Sequence, residues 1–198
     1  MTTDHAMTAT PLLIGLIGRA GAGKSTVAQH LEAEWAFGSL AFADPILAMV
    51  HALFNEAGVD GAWAAERALK EQPTPVLGVS YRRLAQTLGT EWGRELISPE
   101  LWLRVAAHKV QQARLYGLHA VISDVRFPNE AQWLVEQGGL LVRVIRPDLP
   151  PLPPDAASHP SEHYAERLPA HEELLNGASI TTLLDRVDDL VRMLKGLA

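Results

Sequence analysis

The sequence predicts an α/β fold, a three-layer sandwich with a mostly parallel central sheet. Three observations predict it. Short apolar runs, "PLLIGLIG" (Pro11–Gly18), "HAVISDV" (His119–Val125) and "LLVRVIRP" (Leu140–Pro147), alternate with segments of helical periodicity. The first run ends in a glycine-rich turn that opens directly into a helical pattern. The chain closes on a stripe of Leu183, Leu184, Val187, Leu190, Val191 and Leu194, spaced to cover a sheet.

The elements follow in order. "PLLIGLIG" suits a strand buried on both faces. From Ser25 to about Trp35 the apolar positions Val27, Ala28, Leu31 and Trp35 share one helical side. "SLAFAD" (Ser39–Asp44) is a second strand, and Pro45 opens the apolar helix "PILAMVHALF". "AWAAERALKEQ" (Ala62–Gln72) reads as a helix that stops before Pro73, and "PTPVLGV" as a loop. Ser80 caps a helix through "YRRLAQTLGTEWGREL", whose glycines weaken its second half. Ser98-Pro99-Glu100 starts another, burying Leu101, Trp102, Val105 and Val110. "NEAQWLVEQGG" (Asn129–Gly139) is a helix with a glycine stop. "DLPPLPPDAASHP" (Asp148–Pro160) is too rich in proline for regular structure.

Composition bounds the function. The 198 residues fit one domain, residues 11–198, behind a frayed tail at 1–10. Hydrophobic residues at 47% suffice for a core, so the chain is not expected to be disordered. With 17 Lys+Arg against 23 Asp+Glu the net charge is -6, which argues against a nucleic acid polymer as partner. The lack of cysteine removes disulfides, thiolate zinc sites and cysteine nucleophiles. No apolar run reaches the roughly 18 residues of a spanning helix, and the N-terminus carries no signal-peptide pattern. A cytoplasmic protein without membrane partners is expected.

Gly18-Arg19-Ala20-Gly21-Ala22-Gly23-Lys24-Ser25 matches G-x-x-x-x-G-K-[ST] in full, between a predicted strand and a predicted helix. Glycines let backbone N–H groups converge on phosphate oxygens, and the helix N-terminus adds partial positive charge. Lys24 would reach the β- and γ-phosphates, the Ser25 hydroxyl would bind Mg²⁺, and Thr26 completes the stretch. A nucleoside triphosphate is the expected ligand.

A second anionic site is suggested less directly. Asp124 ends a strand, where open α/β sheets place their ligand crevice, and could serve Mg²⁺ or orient a ligand. Arg126 would point the same way two residues on. Arg82 and Arg83 stand at a helix start, where the dipole disfavours cations unless an anion is near. Lys70 and Glu71 read as a solvated helix end, with Lys70 kept as an acceptor-site candidate. A hydroxyl acceptor usually needs a carboxylate base, whereas a phosphate acceptor is already anionic and needs cations. The chain leans toward a phosphate acceptor. The histidines show no metal-ligand spacing, and of the five tryptophans Trp92 is the one placed amid polar neighbours.

These residues fall in ordered blocks: "GRAGAGKST", "FADPI" (Phe42–Ile46), "RRLAQTLGTEWGREL" (Arg82–Leu96), "ISDVRFPNEA" (Ile122–Ala131) and "HPSE" (His159–Glu162). In that order and spacing the chain resembles the phage-type deoxynucleoside monophosphate kinases, a P-loop branch. The resemblance implies a helical acceptor-binding region at about 45–116, and the proline-rich loop, longer than the family leads one to expect, leaves room for a lid at about 147–170. It implies transfer of the ATP γ-phosphoryl group to a deoxynucleoside 5′-monophosphate. Lys24, Arg82, Asp124 and Arg126 would carry the chemistry, with Lys24, Ser25 and Thr26 in the donor site. Asp44, Arg82, Gln86, Thr90, Glu91 and Trp92 fall in the acceptor blocks, and Asp124, Arg126, Asn129 and Glu130 at the crevice. Chemically, arginines suit phosphate, Gln86 and Glu91 suit base edges, and Trp92 could stack on a base. Another small-molecule P-loop kinase with a phosphomevalonate-like acceptor, or a nucleotide switch or NTPase, remains the alternative. Base preference and dimerisation stay open.

Overall fold

Five short strands form one sheet: β1 (Leu13–Ile17), β2 (Phe37–Leu40), β3 (His119–Ile122), β4 (Leu140–Ile145) and β5 (Glu172–Leu175). The computed structural model describes residues 11–66, 68–150, 164 and 167–197. All strand pairs are parallel and the order is β2-β3-β1-β4-β5. β1 is central because it is apolar throughout and buried at every position. The chain leaves β1 toward one side of the sheet and returns from β3 to the other. Such a switch point opens a crevice at the carboxyl ends of the strands.

The chain divides into two compact units: one made of the residues up to Leu40 and from Lys109 onward, the other Ala41–His108. In the first, α1 (Lys24–Trp35) and the C-terminal helix α7 (Ile180–Lys195) cover one sheet face. Val27, Ala28 and Leu31 pack with Leu183, Val187 and Val191, so the foreseen C-terminal stripe holds. Leu184, Leu190 and Leu194 are its half-buried margin. On the other face, α6 (Pro128–Glu136) drives Leu134 onto the sheet beside Gly15 and Leu141. A polar clasp joins α1 to α7. Asp188 Oδ1 lies 2.6 Å from His30 Nε2 and accepts the Trp35 indole N–H at 2.7 Å.

The second unit carries α2 (Asp44–Glu56), α3 (Ala62–Ala65), α4 (Tyr81–Thr87) and a π-helical segment, Leu88–Ile97. The start of α5 (Leu101–Leu115) also lies in it. Its core gathers Val50, Phe54, Val59 and Tyr81. Ser80 caps α4 as expected, its hydroxyl accepting from Arg83 N at 3.2 Å. The next helix buries Trp102 and Val110 as read, adds Ala106, and leaves Leu101 and Val105 half-buried. The π-helical run has a visible cause. Trp102 donates its indole N–H to the Gly89 carbonyl at 2.8 Å, the acceptor an α-helix would give to Gly93 N–H. The ring lies so close to Gly93 that a Cβ there would stand 2.6 Å from Trp102 Nε1.

Four elements differ from expectation. The second strand is Phe37–Leu40, because Asp44 Oδ2 accepts Ala41 N at 2.9 Å and turns 41–43 into the start of α2. The helix from Ala62 stops at Ala65, where Glu66 adopts φ -80 and ψ 126. β5 was not foreseen: "EELL" carries two glutamates of low strand propensity, and pairing with β4 overrides it. The helix after Ser80 goes π-helical instead of merely weakening. The tail at 1–10 and most of the expected lid, 151–163 with its "HPSE" block, lie outside the described residues. No helix among the described residues is long and apolar enough to cross a membrane.

Two outcomes test this packing. Gly93→Ala should destabilise the protein by about 1–3 kcal/mol through overpacking against Trp102, read by urea unfolding. Burial works to raise the Asp188 pKa, but hydrogen bonds from Trp35 and His30, with His30 and Arg192 charges, outweigh it and hold the carboxyl below its ordinary 3.8. A lowered folded-state pKa contributes stability that is full above 3.8 and is lost as pH falls below it. The stability gap between wild type and Asp188→Asn should therefore be widest near neutral pH and narrow in strong acid.

Candidate functional site

The loop from Gly18 to Gly23 leaves β1 and enters α1 under tight local constraint. Gly18 has φ 138, and a Cβ there would collide with the Val144 carbonyl oxygen of β4. Gly23 has φ 109, and its Cβ would lie 2.7 Å from Asn176 Nδ2. Neither position admits a side chain without strain. Ala22 N–H closes the loop on the Arg19 carbonyl at 3.2 Å, and Val27 N–H to the Gly23 carbonyl at 3.0 Å starts the helix.

Lys24 folds back into this loop. It is 9% exposed, and its ammonium donates to the carbonyls of Gly18 at 2.7 Å and Arg19 at 2.9 Å. A nearly buried ammonium is tolerable only with such partners. The first-turn N–H groups of α1, which no helix pairs internally, face the same region.

Beside the loop lies an open cleft of about 640 Å³. Of the expected donor residues, Ala20, Gly21, Gly23, Lys24, Ser25 and Thr26 line it. Gly18 sits behind, against β4. Arg19 donates to the Pro150 carbonyl at 3.0 Å, and Ala22 is buried, so their side chains are not among the lining. Asp124 and Arg126 both line the cleft, as their spacing after β3 suggested.

Sequence reasoning missed Ser123, Arg146, Asp148 and Asn176, which line the same cleft. Arg146 follows β4 directly, so the rule that ligands sit at strand carboxyl ends could have found it. Asn176 follows β5, and no reading that lacks β5 could reach it. Lys24, Arg126 and Arg146 face Asp124 and Asp148, giving three cations against two anions in the lining.

Glu130 needs correction as a substrate-binding residue. It is 1% exposed, and its Oε2 accepts Arg126 N at 2.8 Å and Phe127 N at 3.0 Å. The carboxylate sits at the N-terminus of α6, where the dipole favours it, and fixes the backbone that carries Arg126. Asn129 is half-buried in the same first turn and does not line the cleft.

The remaining candidates belong to the second unit. Lys70 and Arg82 come together: the Lys70 carbonyl accepts Arg82 N at 3.0 Å, and the Lys70 ammonium stands 5.5 Å from the Tyr81 ring centre. Arg82 pairs with Glu71. Gln86 on α4 and Thr90 on the π-helical segment are half-buried, and Glu91 is exposed. Trp92 packs at 6.0 Å against Trp102, so one face of it contributes to packing. Asp44 holds the entry of α2 by accepting Ala41 N. Two histidines bond within the fold, His51 to the Tyr81 hydroxyl at 3.0 Å and His119 through Nδ1, which accepts Leu12 N at 2.9 Å. Burial, aided by Lys195, holds His119 below its ordinary pKa, as an acceptor ring nitrogen requires.

Glu130→Ala should destabilise the protein by about 2 kcal/mol, since two amides lose a charged acceptor in a buried position. Denaturant unfolding at neutral pH measures it.

With the geometry in place, comparison with known proteins adds a lineage. No family model matches the chain. A protein of Acanthamoeba polyphaga mimivirus named "Putative deoxynucleotide monophosphate kinase" is 32% identical over 174 residues, 83% of this chain and 87% of the relative. The deoxynucleoside-5′-monophosphate kinase of Escherichia phage T5 is 37% identical over 81 residues, 38% of this chain and 32% of its own length. Among solved structures, TT1252 from Thermus thermophilus superposes with a TM-score of 0.50 at 21% identity, covering 95% of this chain and 98% of that one, which speaks to the fold alone. On the mimivirus match, in identity and in coverage, the chain belongs to the deoxynucleotide monophosphate kinase family.

Proposed function

We propose that the protein transfers the γ-phosphoryl group of ATP to the 5′-phosphate of a deoxynucleoside monophosphate, giving ADP and the deoxynucleoside diphosphate. One observation carries the reading: Lys24, Arg126 and Arg146 meet in a single cleft beside the N-terminus of α1. That constellation suits a chain of phosphates. Lys24 would exchange its carbonyl partners for phosphate oxygens without leaving the loop, so little reorganisation is needed at the moment of transfer.

A phosphate acceptor supplies its own nucleophilic oxygen, and the protein's task is to hold two anions together against their repulsion. Arg126 is the residue of the first unit best suited to that, with its planar fork of donors. Recognition of the acceptor nucleoside is assigned to Arg82, Gln86, Thr90, Glu91 and Trp92 of the second unit, with Asp44 and Lys70 as supporting positions.

Magnesium fits this donor set. Mg²⁺ keeps several waters and is bound through one or two protein oxygens plus substrate phosphates. The Ser25 hydroxyl and Asp124 line the cleft, and no cluster of three or more metal-ligating side chains occurs among the described residues. The ion would supply neutralisation of the β- and γ-phosphate oxygens. Ser25 would hold it, and Asp124 would orient its waters.

The test is incubation with Mg-ATP and each deoxynucleoside monophosphate singly, followed by chromatographic separation. ADP and one diphosphate should appear in equal amounts with at least one acceptor. Lys24→Ala should lower kcat about 100-fold, equivalent to about 2.7 kcal/mol of transition-state stabilisation. Arg126→Ala should lower kcat/KM about 10-fold or more. ADP without any diphosphate would overturn the acceptor assignment and turn the search to other phosphorylated small molecules.

A further inference from the structure

The loop that grips phosphates is braced from outside. Asn176, one residue beyond β5, donates its side-chain amide Nδ2 to the Ala22 carbonyl at 2.8 Å across 154 positions of sequence. A carbonyl accepts only from the NH₂ end, so the partner itself fixes which way the amide is turned. The same Nδ2 lies 2.7 Å from where a Cβ on Gly23 would stand. Asn176 is itself well anchored. Its N–H donates to the Ile145 carbonyl at 2.6 Å, extending the β4–β5 ladder. Arg186 of α7 donates to the preceding carbonyl, Leu175, also at 2.6 Å.

We propose that Asn176 is a positioning residue for the donor site, locking the Ala22–Gly23 peptide so that its oxygen is turned toward β5 and not toward the phosphates. In a trans peptide the C=O and N–H point in opposite directions. Holding one therefore orients the other. Glycine at position 23 leaves this peptide easier to rotate than any other residue would. A rotated peptide would present a carbonyl oxygen to phosphate oxygens and withdraw an N–H from them. Asn176 removes that alternative by giving the carbonyl a partner on the sheet side.

The inference rests on the donor reading of the loop, and the experiment separates the two. Asn176→Ala and the isosteric Asn176→Leu are titrated, in the full chain, with Mg-ATP and with inorganic tripolyphosphate, which has the row of phosphates and no nucleoside. A peptide lock predicts that both variants weaken both ligands by the same factor, about 10-fold, the worth of one hydrogen bond. The KM for the deoxynucleoside monophosphate should not change. Loss of ATP affinity with tripolyphosphate affinity intact would overturn the proposal, because Asn176 would then be reading the nucleoside. Unchanged affinity for both would overturn it as well. Lys24→Ala is the control for the underlying reading: if it binds tripolyphosphate as well as wild type, the donor assignment fails, whatever Asn176 does.

Discussion

Everything in the loop from Gly18 to Lys24 depends on a lysine ammonium held by backbone carbonyls. Lys24 is nearly buried, and the carbonyls of Gly18 and Arg19 compensate its desolvation. Those carbonyls are available because Gly18 presses against Val144 and no side chain intervenes. That contact in turn requires β1 to lie next to β4, which the parallel register from Ile14↔Leu140 to Ile17↔Arg143 provides. The central strand, the loop and the helix are thus one mechanical object. The rest of the first unit keeps it in shape: α7 clasps α1 through Asp188, His30 and Trp35, and α6 holds Arg126 through Glu130.

The loop from Gly18 to Ser25 was legible in the sequence for a physical reason. Backbone-made sites demand glycines at particular positions, and such demands are written locally, over eight consecutive residues. Asp124 and Arg126 were legible because a strand end is recognisable and the crevice rule applies to it. Asn176 was not found, although it lines the same cleft, because its relevance depends on β5 lying beside β4, whereas Arg146 was within reach of the crevice rule and was overlooked. Glu130 was misjudged for the converse reason. A carboxylate in a site block looks like a ligand contact until its burial and its two amide partners are known.

The second unit was harder to read, and Trp102 shows why. Gly89 and Gly93 looked like weak points of a helix, yet the Trp102 ring rests on Gly93 and its N–H is accepted by the Gly89 carbonyl. The penalty of two glycines in a helix is real, but it buries a tryptophan and widens the helix around it. Widening shifts the angular phase of the residues that follow. Thr90, Glu91 and Arg94 therefore point where an α-helix of the same sequence would not place them. A periodicity argument built on 3.6 residues per turn cannot recover those directions.

This contrast bears on how the two halves can change. The loop has few acceptable sequences at its glycines, since a side chain at Gly18, Gly21 or Gly23 meets a positive φ and, at Gly18 and Gly23, a collision as well. Side chains on the widened helix can change singly, provided Gly89, Gly93 and Trp102 keep the phase. The "LGTEWGR" block is then a scaffold first: the Gly89 carbonyl and Gly93 seat Trp102, and Thr90 and Glu91 are carried upon that seat.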